Sequence, residues 1–229
     1  MFPRFLPSAV NQLTESASIE LARIIQREAI STPLNTEPIH TTYVRQGSGN
    51  APILLLHGFD SSVIEFRRLL PQLAIQTETW AVDLFGFGFT DRLAEISSSP
   101  EAIKTHLYYF WKTLIARPVI LVGVSMGGAA AIDFTLTYPE VVQKLVLIDS
   151  AGLVNPPGIG KFMFPPLDYL AAEFLRNLSV RDRISRNAYK NPSFATADAL
   201  LCGALHLQMP SWRQALIAFT KSGGYGCFK

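Results

Sequence analysis

From residue 40 to residue 152, apolar runs of four to six residues alternate with stretches of helical periodicity. APILLLHG (51–58), TETWAVDLFG (77–86), PVILVGVS (118–125) and KLVLIDSAG (144–152) read as buried strands. Between them, residues 63–74, 101–116 and 126–138 read as helices, the first bent or broken in its last turn by Pro71 and the second ended by Arg117-Pro118. HTTYVRQ (40–46) leads through the turn signal Gly47-Ser-Gly-Asn50 into the first of these strands, which predicts a hairpin. Near-continuous apolar strands separated by helices can be buried only in a mostly parallel sheet covered on both faces. The expected fold class is therefore α/β, with a doubly wound sheet.

The flanks do not share this alternation. Leu13, Ala17, Leu21, Ile24, Ile25 and Ala29 recur at helical spacing, so residues 1–39 are expected to form an N-terminal helical extension on a core of residues 40–152. Pro156, Pro157, Pro165 and Pro166, with Gly158 and Gly160, mark 153–166 as a connector. Beyond it, 167–178, 195–208 and 210–221 are helix-like, with Trp212, Leu216 and Phe219 on one face of the last. Residues 153–229 thus read as a helical lid inserted after the sixth strand.

Composition narrows the function. A chain of 229 residues with 48% hydrophobic and 17% charged residues has a large core and little charged surface. A net charge of +2 is too balanced for nucleic acid or an acidic polymer as partner. Cys202 and Cys227 have no second ligand at metal spacing, so no disulfide framework or zinc site is expected, and reduced thiols suit a cytoplasmic chain. No run reaches the 18 or so apolar residues of a membrane span. The N-terminus lacks a signal peptide's apolar centre, and Glu15, Glu20 and Glu28 argue against a transit peptide. A membrane-surface role is disfavoured, because Glu20 and Glu28 mix with Arg23 and Arg27 on the polar face of the first helix.

Gly123-Val-Ser125-Met-Gly127 lies between a predicted strand and a predicted helix. A sharp strand-to-helix turn leaves room only for glycine beside the serine and presents its oxygen above the sheet. The helix N-terminus adds free amides that favour developing negative charge. Ser125 is the candidate nucleophile. The amide of Met126 and one from Leu56-His57-Gly58-Phe59 are candidate oxyanion donors, with His57 ordering that loop rather than acting as base. Asp83-Leu-Phe-Gly-Phe-Gly-Phe-Thr-Asp91 has no Gly-Lys-Ser/Thr and no dinucleotide fingerprint, so it is not a phosphate cradle. Its glycines let the loop turn near the serine, with Phe85, Phe87 and Phe89 expected to wall an apolar pocket.

Together these three stretches resemble the α/β-hydrolase fold family, in its lidded single-domain branch, over residues 40 to 225. The resemblance implies that Ser125 attacks a carbonyl, that Phe59 and Met126 donate backbone N–H groups to the oxyanion, and that Asp83 anchors its loop. In that family the order is nucleophile, acid, histidine. Here no apolar strand with a following Asp and no late Gly-His comes after the lid, so the base is unknown and the last two strands are expected to be missing. Asp149 is a possible alternative acid. His40, His106 and His206 read as ordinary surface or helix histidines, His206 being the least unsuitable base because a lid lies over the site. The chain is accordingly expected to be a fragment or a truncated gene product of low or no activity, with KLVLIDS as a bare sheet edge. The implied activity is hydrolysis of an ester, amide or related carbonyl compound through an acyl-enzyme, on a small apolar or acyl-containing substrate, without metal or cofactor. A serine at this turn argues against the family's dehalogenases and epoxide hydrolases. The alternatives are a non-catalytic binder or inert fragment, and acyl transfer or cofactor-free peroxidase chemistry.

Overall fold

Six strands, Gln26–Ile30 (β1), Ile39–Gln46 (β2), Ile53–Leu56 (β3), Thr79–Val82 (β4), Val119–Val124 (β5) and Val142–Ile148 (β6), form one sheet in the order β1-β2-β4-β3-β5-β6. The computed structural model describes residues 1–93, 95–154 and 164–228. β3 pairs in parallel with β4 and β5, and β5 with β6, while β1 and β2 form an antiparallel margin. The pleat sends alternate residues to two cores. Leu54, Leu56, Trp80, Val82 and Leu121 join one, and Ile53, Leu55, Ala81 and Val122 the other. Leu54, Leu55 and Leu56 are wholly buried, each worth about 1.5–3 kcal/mol relative to an exposed side chain.

Eight helices complete the described chain: Ser16–Arg23 (α1), Leu70–Ala74 (α2), Pro100–Leu114 (α3), Met126–Thr137 (α4), Leu167–Arg176 (α5), Leu178–Ala188 (α6), Ala197–Ala204 (α7) and Trp212–Lys221 (α8). α3 and α4 supply Phe110 and Phe134 to one core; α1 and α2 supply Leu21 and Leu70 to the other. The sheet is doubly wound, as its apolar strands require. None of the described helices is long and apolar enough to cross a membrane.

Four expectations change in detail. The N-terminal helix stops at Arg23, and residues 26–30 become the edge strand β1, so the sheet begins at Gln26 rather than at residue 40. Local helical spacing yields there to the ladder offered by β2. The hairpin is absent: β2 pairs with β1 and β4, and β4 separates it from β3. A wholly apolar strand such as β3 buries both faces only with parallel neighbours on each side. The predicted helix 63–74 is a 3₁₀ turn, Val63–Phe66, followed by α2, where Pro71 occupies the first turn instead of breaking the last. Beyond β6, α6 was not anticipated as a separate helix, and 195–208 divides into α7 and a 3₁₀ turn, Leu205–Gln208. The connector 153–166 falls largely outside the described residues.

Candidate active site

β5 ends at Val124, α4 begins at Met126, and Ser125 alone makes the turn, at φ 51° and ψ −117°. That left-handed conformation is uncommon for a residue with a Cβ and costs of order 1–3 kcal/mol. The surroundings hold it. The Ser125 amide donates to the Ile148 carbonyl at 3.0 Å, and its own carbonyl accepts from Ala151 at 3.0 Å and Gly128 at 2.9 Å. The turn is thus tied to the end of β6. Small residues are obligatory beside it, since a Cβ on Gly123 would stand 2.6 Å from the Gly127 carbonyl carbon and one on Gly128 would stand 2.7 Å from Ser150 Cβ. The Ser125 side chain is exposed.

The loop after β3 runs alongside. A Cβ built on Gly58 would lie 3.7 Å from Ser125 Cβ. His57 is wholly buried. Its Nδ1 donates to the Gly58 carbonyl at 2.7 Å and its Nε2 accepts from the Leu84 amide at 3.1 Å. Burial pushes its pKa down to about 4, so it is neutral and fully engaged in ordering the loop. The Gly58 amide donates to Glu65 at 3.0 Å, and burial pushes that carboxyl up. The next amide, Phe59, has no acceptor among the described residues. Neither does Met126, whose amide opens α4 where the residue four back, Val122, lies in β5 and offers no helical carbonyl. Two amides without an acceptor among the described residues therefore lie in the segments that meet at the exposed serine.

Asp83 anchors the neighbouring loop through its carboxylate, which accepts from Val63 and Phe89 amides at 2.6 Å each. Burial raises its pKa to about 7 against those two bonds. Gly88, at φ 55°, leaves the space Asp83 occupies. Phe85, Phe87 and Phe89 do not wall a common pocket. Phe85 packs on His106 and Phe89 lies in the opposite core, and only Phe87 meets Phe59, with ring centroids 5.9 Å apart. Phe85 and Phe87 fall in one core and Phe89 in the other, because the loop turns at Gly88 between them. The cavity beside Phe59, about 230 Å³, is instead lined by Leu175, Arg181, Ile184 and Leu200 from the helices after β6, and Ser125 is not among its walls.

The remaining histidines are engaged elsewhere. His40 bonds Asp91 at 3.0 Å, and His106 bonds Thr41 at 2.7 Å inside the core. His206, in the 3₁₀ turn after α7, is buried against Asp60 at 2.9 Å, and its Nδ1 is sealed without a partner among the described residues. None is hydrogen-bonded to Ser125 among the described residues. Asp149 follows β6 at φ 46°, exposed.

Sequence reasoning passed over Asp60 and Glu65. Asp60 accepts from His206 and from Trp212 Nε1 at 2.7 Å and pairs with Arg181. Burial opposes its charge, yet the His206 bond and the Arg181 guanidinium hold its carboxyl down to about 2. The signal available was a carboxylate directly after an otherwise apolar Leu-His-Gly-Phe run.

A family model described as alpha/beta hydrolase fold matches residues 51–182. The alpha/beta hydrolase domain-containing protein VTE7 of Arabidopsis thaliana is 37% identical over 98% of this chain and 70% of its own length. A 2-hydroxy-6-oxo-2,4-heptadienoate hydrolase of Pseudomonas putida is 31% identical over 60% of this chain, which spans 48% of that enzyme. A thermophilic esterase from Thermogutta terrifontis superposes with a TM-score of 0.67 at 22% identity, over 88% of this chain and 74% of the esterase.

Proposed function

Because the chain belongs to the α/β-hydrolase fold family, we propose that Ser125 is the nucleophile of a serine hydrolase acting on an ester, amide or related carbonyl compound. One observation carries this reading: an exposed serine at positive φ opens α4 beside the Gly58 loop, and the amides of Phe59 and Met126 have no acceptor among the described residues. Attack by its oxygen on a carbonyl carbon creates an oxyanion, and each preorganised amide donor is worth about 3–4 kcal/mol of barrier. Collapse of the oxyanion breaks the carbonyl's bond to the alcohol or amine, which departs with the serine's proton. Water then attacks the acyl carbon, freeing the acid and returning a proton to the Ser125 oxygen. The apolar cavity beside Phe59 suits an acyl or other apolar portion of the substrate. Hydrolase names among the relatives support the reaction class and leave the substrate open.

A second reading, a binder that keeps the cavity without turnover, draws on the four histidines, each of which has another partner or is sealed. A fluorophosphonate probe separates the two, since it reacts only with an activated serine. Labelling of the chain that disappears in Ser125→Ala supports the hydrolase. An unlabelled wild-type chain rejects it and favours the binder.

A further inference from the structure

α7 is eight residues long, and two of its faces are in use. Ala199, Leu200 and Gly203 line the cavity beside Phe59. On the other side of the helix, Asp198 and Cys202 turn towards the N-terminal segment, and Cys202 shares one core with Leu6, Val10, Leu13 and Leu21. The segment that precedes the sheet is thus packed behind a helix whose opposite face is a wall of the cavity.

The two are clasped by bonds that run both ways. The buried Asp198 carboxylate accepts from the Thr14 and Glu15 amides at 2.5 and 2.9 Å through Oδ1, and from Ser18 Oγ at 2.5 Å through Oδ2. In return Thr196, the N-cap of α7, donates from Oγ1 to Glu15 at 2.5 Å, and the same oxygen accepts from the Ala199 amide at 3.0 Å. Arg68 holds the other Glu15 oxygen at 2.7 Å. Asp198 therefore stands in the first turn of α7 and against the residues that lead into α1, so the positive ends of two helices share one carboxylate. Burial opposes its charge, yet the bonds from Ser18, Glu15 and Thr14 hold its carboxyl below the usual range.

We infer that Asp198 is a positioning residue through which residues 14–18 hold α7 as a wall of the cavity, so that the N-terminal segment helps to set which apolar groups the cavity accepts. The selectivity rests on the reading that the cavity receives the apolar part of a substrate; the holding of α7 does not. A helix of about two turns has few internal hydrogen bonds, so its place depends on what its ends are tied to. At its far end the Gly203 carbonyl accepts from Arg181 at 3.0 Å. At its near end the clasp is the tie, and the wall residues Ala199 and Leu200 follow Asp198 directly in the chain.

The experiment compares the full chain with Asp198→Ala, using p-nitrophenyl acetate and p-nitrophenyl octanoate as substrates and amide hydrogen exchange as a second readout. The wild-type chain should favour the octanoate in kcat/KM. The variant should lose about tenfold of that preference through KM, with kcat on acetate changed by less than about twofold. Exchange at the amides of 201–204 should quicken at least about tenfold, while β3 and β5 exchange as in the wild type. A wild-type chain without the preference, a variant that keeps it or loses both esters alike, or unchanged exchange in α7 overturns the inference. A merely structural tie lowers stability without choosing between acyl lengths. If Asp198→Ala does not fold, Ser18→Ala removes one donor from the N-terminal side of the clasp and is read in the same way. If the wild-type chain hydrolyses neither ester, the hydrolase reading fails and n-octanol decides the rest. Saturable shifts of the Leu200 and Gly203 amides that weaken in the variant sustain the holding of α7; no binding, or equal binding, overturns it.

Discussion

Gly127, the second glycine of the strand-to-helix turn, lies directly against the Leu56 carbonyl at the end of β3, with no space for a methyl group between them. The contact joins α4 to the strand that leads into His57–Asp60, so the two candidate oxyanion amides are registered to each other through backbone. Gly127→Ala would drive a Cβ into the Leu56 and His57 carbonyls, neither of which is the end of a flexible side chain. Overpacking of this kind typically costs about 1–3 kcal/mol. Urea denaturation of Gly127→Ala should show a loss in that range. A loss below about 0.5 kcal/mol would mean that the two segments can part freely.

Ser125→Gly should separate stability from chemistry. The serine holds φ 51° with ψ −117°, a region glycine enters without a Cβ penalty. Removing the side chain relieves strain of order 1–3 kcal/mol and returns part of it as unfolded-state entropy. The variant should melt at or above the wild-type temperature and take no fluorophosphonate label. A variant less stable by about 1 kcal/mol would show that the hydroxyl contributes a structural bond, and the strain argument would fall.

Legibility in the sequence followed the range of the forces involved. The parallel strands were readable because runs such as Ile53–Leu56 and Val119–Val124 are apolar on both faces, which no exposed element tolerates. The turn at Ser125 was readable because Gly123 answers to Gly127 and Gly128 in the same short stretch, whereas what Gly127 itself answers to, the Leu56 and His57 carbonyls, is distant in sequence. β1 was not, since Gln26–Ile30 has neither alternation nor β-branching in four of its five positions, and only the ladder with β2 makes it a strand. Nor was the role of Asp60. Its partners Arg181, His206 and Trp212 lie 121, 146 and 152 residues away, and local pattern carries no trace of a meeting at that distance.

His106 gives a pH prediction with a definite sign. Thr41 Oγ1 donates to the Ile39 carbonyl at 3.0 Å, so the hydroxyl oxygen accepts from His106 Nε2 and the buried ring is neutral. Burial pushes its pKa from the usual 6.5 down to about 3. Below about pH 6.5 the unfolded chain binds a proton that the folded chain refuses, so acid favours unfolding, by about 1.4 kcal/mol per pH unit until the folded ring titrates. His106→Gln keeps an N–H donor and removes the proton site. Between pH 7 and pH 5 the wild-type chain should lose about 2 kcal/mol more stability than the variant in urea titrations. Buried His57 and Asp83 titrate in the same window with opposite signs but are common to both chains, so the difference isolates His106. Parallel pH profiles would refute a neutral buried ring.

Among the described residues β6 pairs only with β5, and its run Leu145, Val146, Leu147 and Ile148 is 36–42% exposed. An apolar strand with one row of unpaired N–H and C=O groups is a template for another strand, and a second copy of this chain offers the same edge. Lys144 is the one charge within the strand, too little to block pairing along its length. Sedimentation velocity over a range of concentrations should therefore show association of the wild-type chain. Val146→Lys places a second charge in the middle of the run, at a site exposed enough that the folded chain should change in stability by no more than about 0.5 kcal/mol. It should shift the distribution towards monomer. A wild-type chain that stays monomeric at every concentration, or association that Val146→Lys leaves untouched, would mean that this edge is not where copies meet.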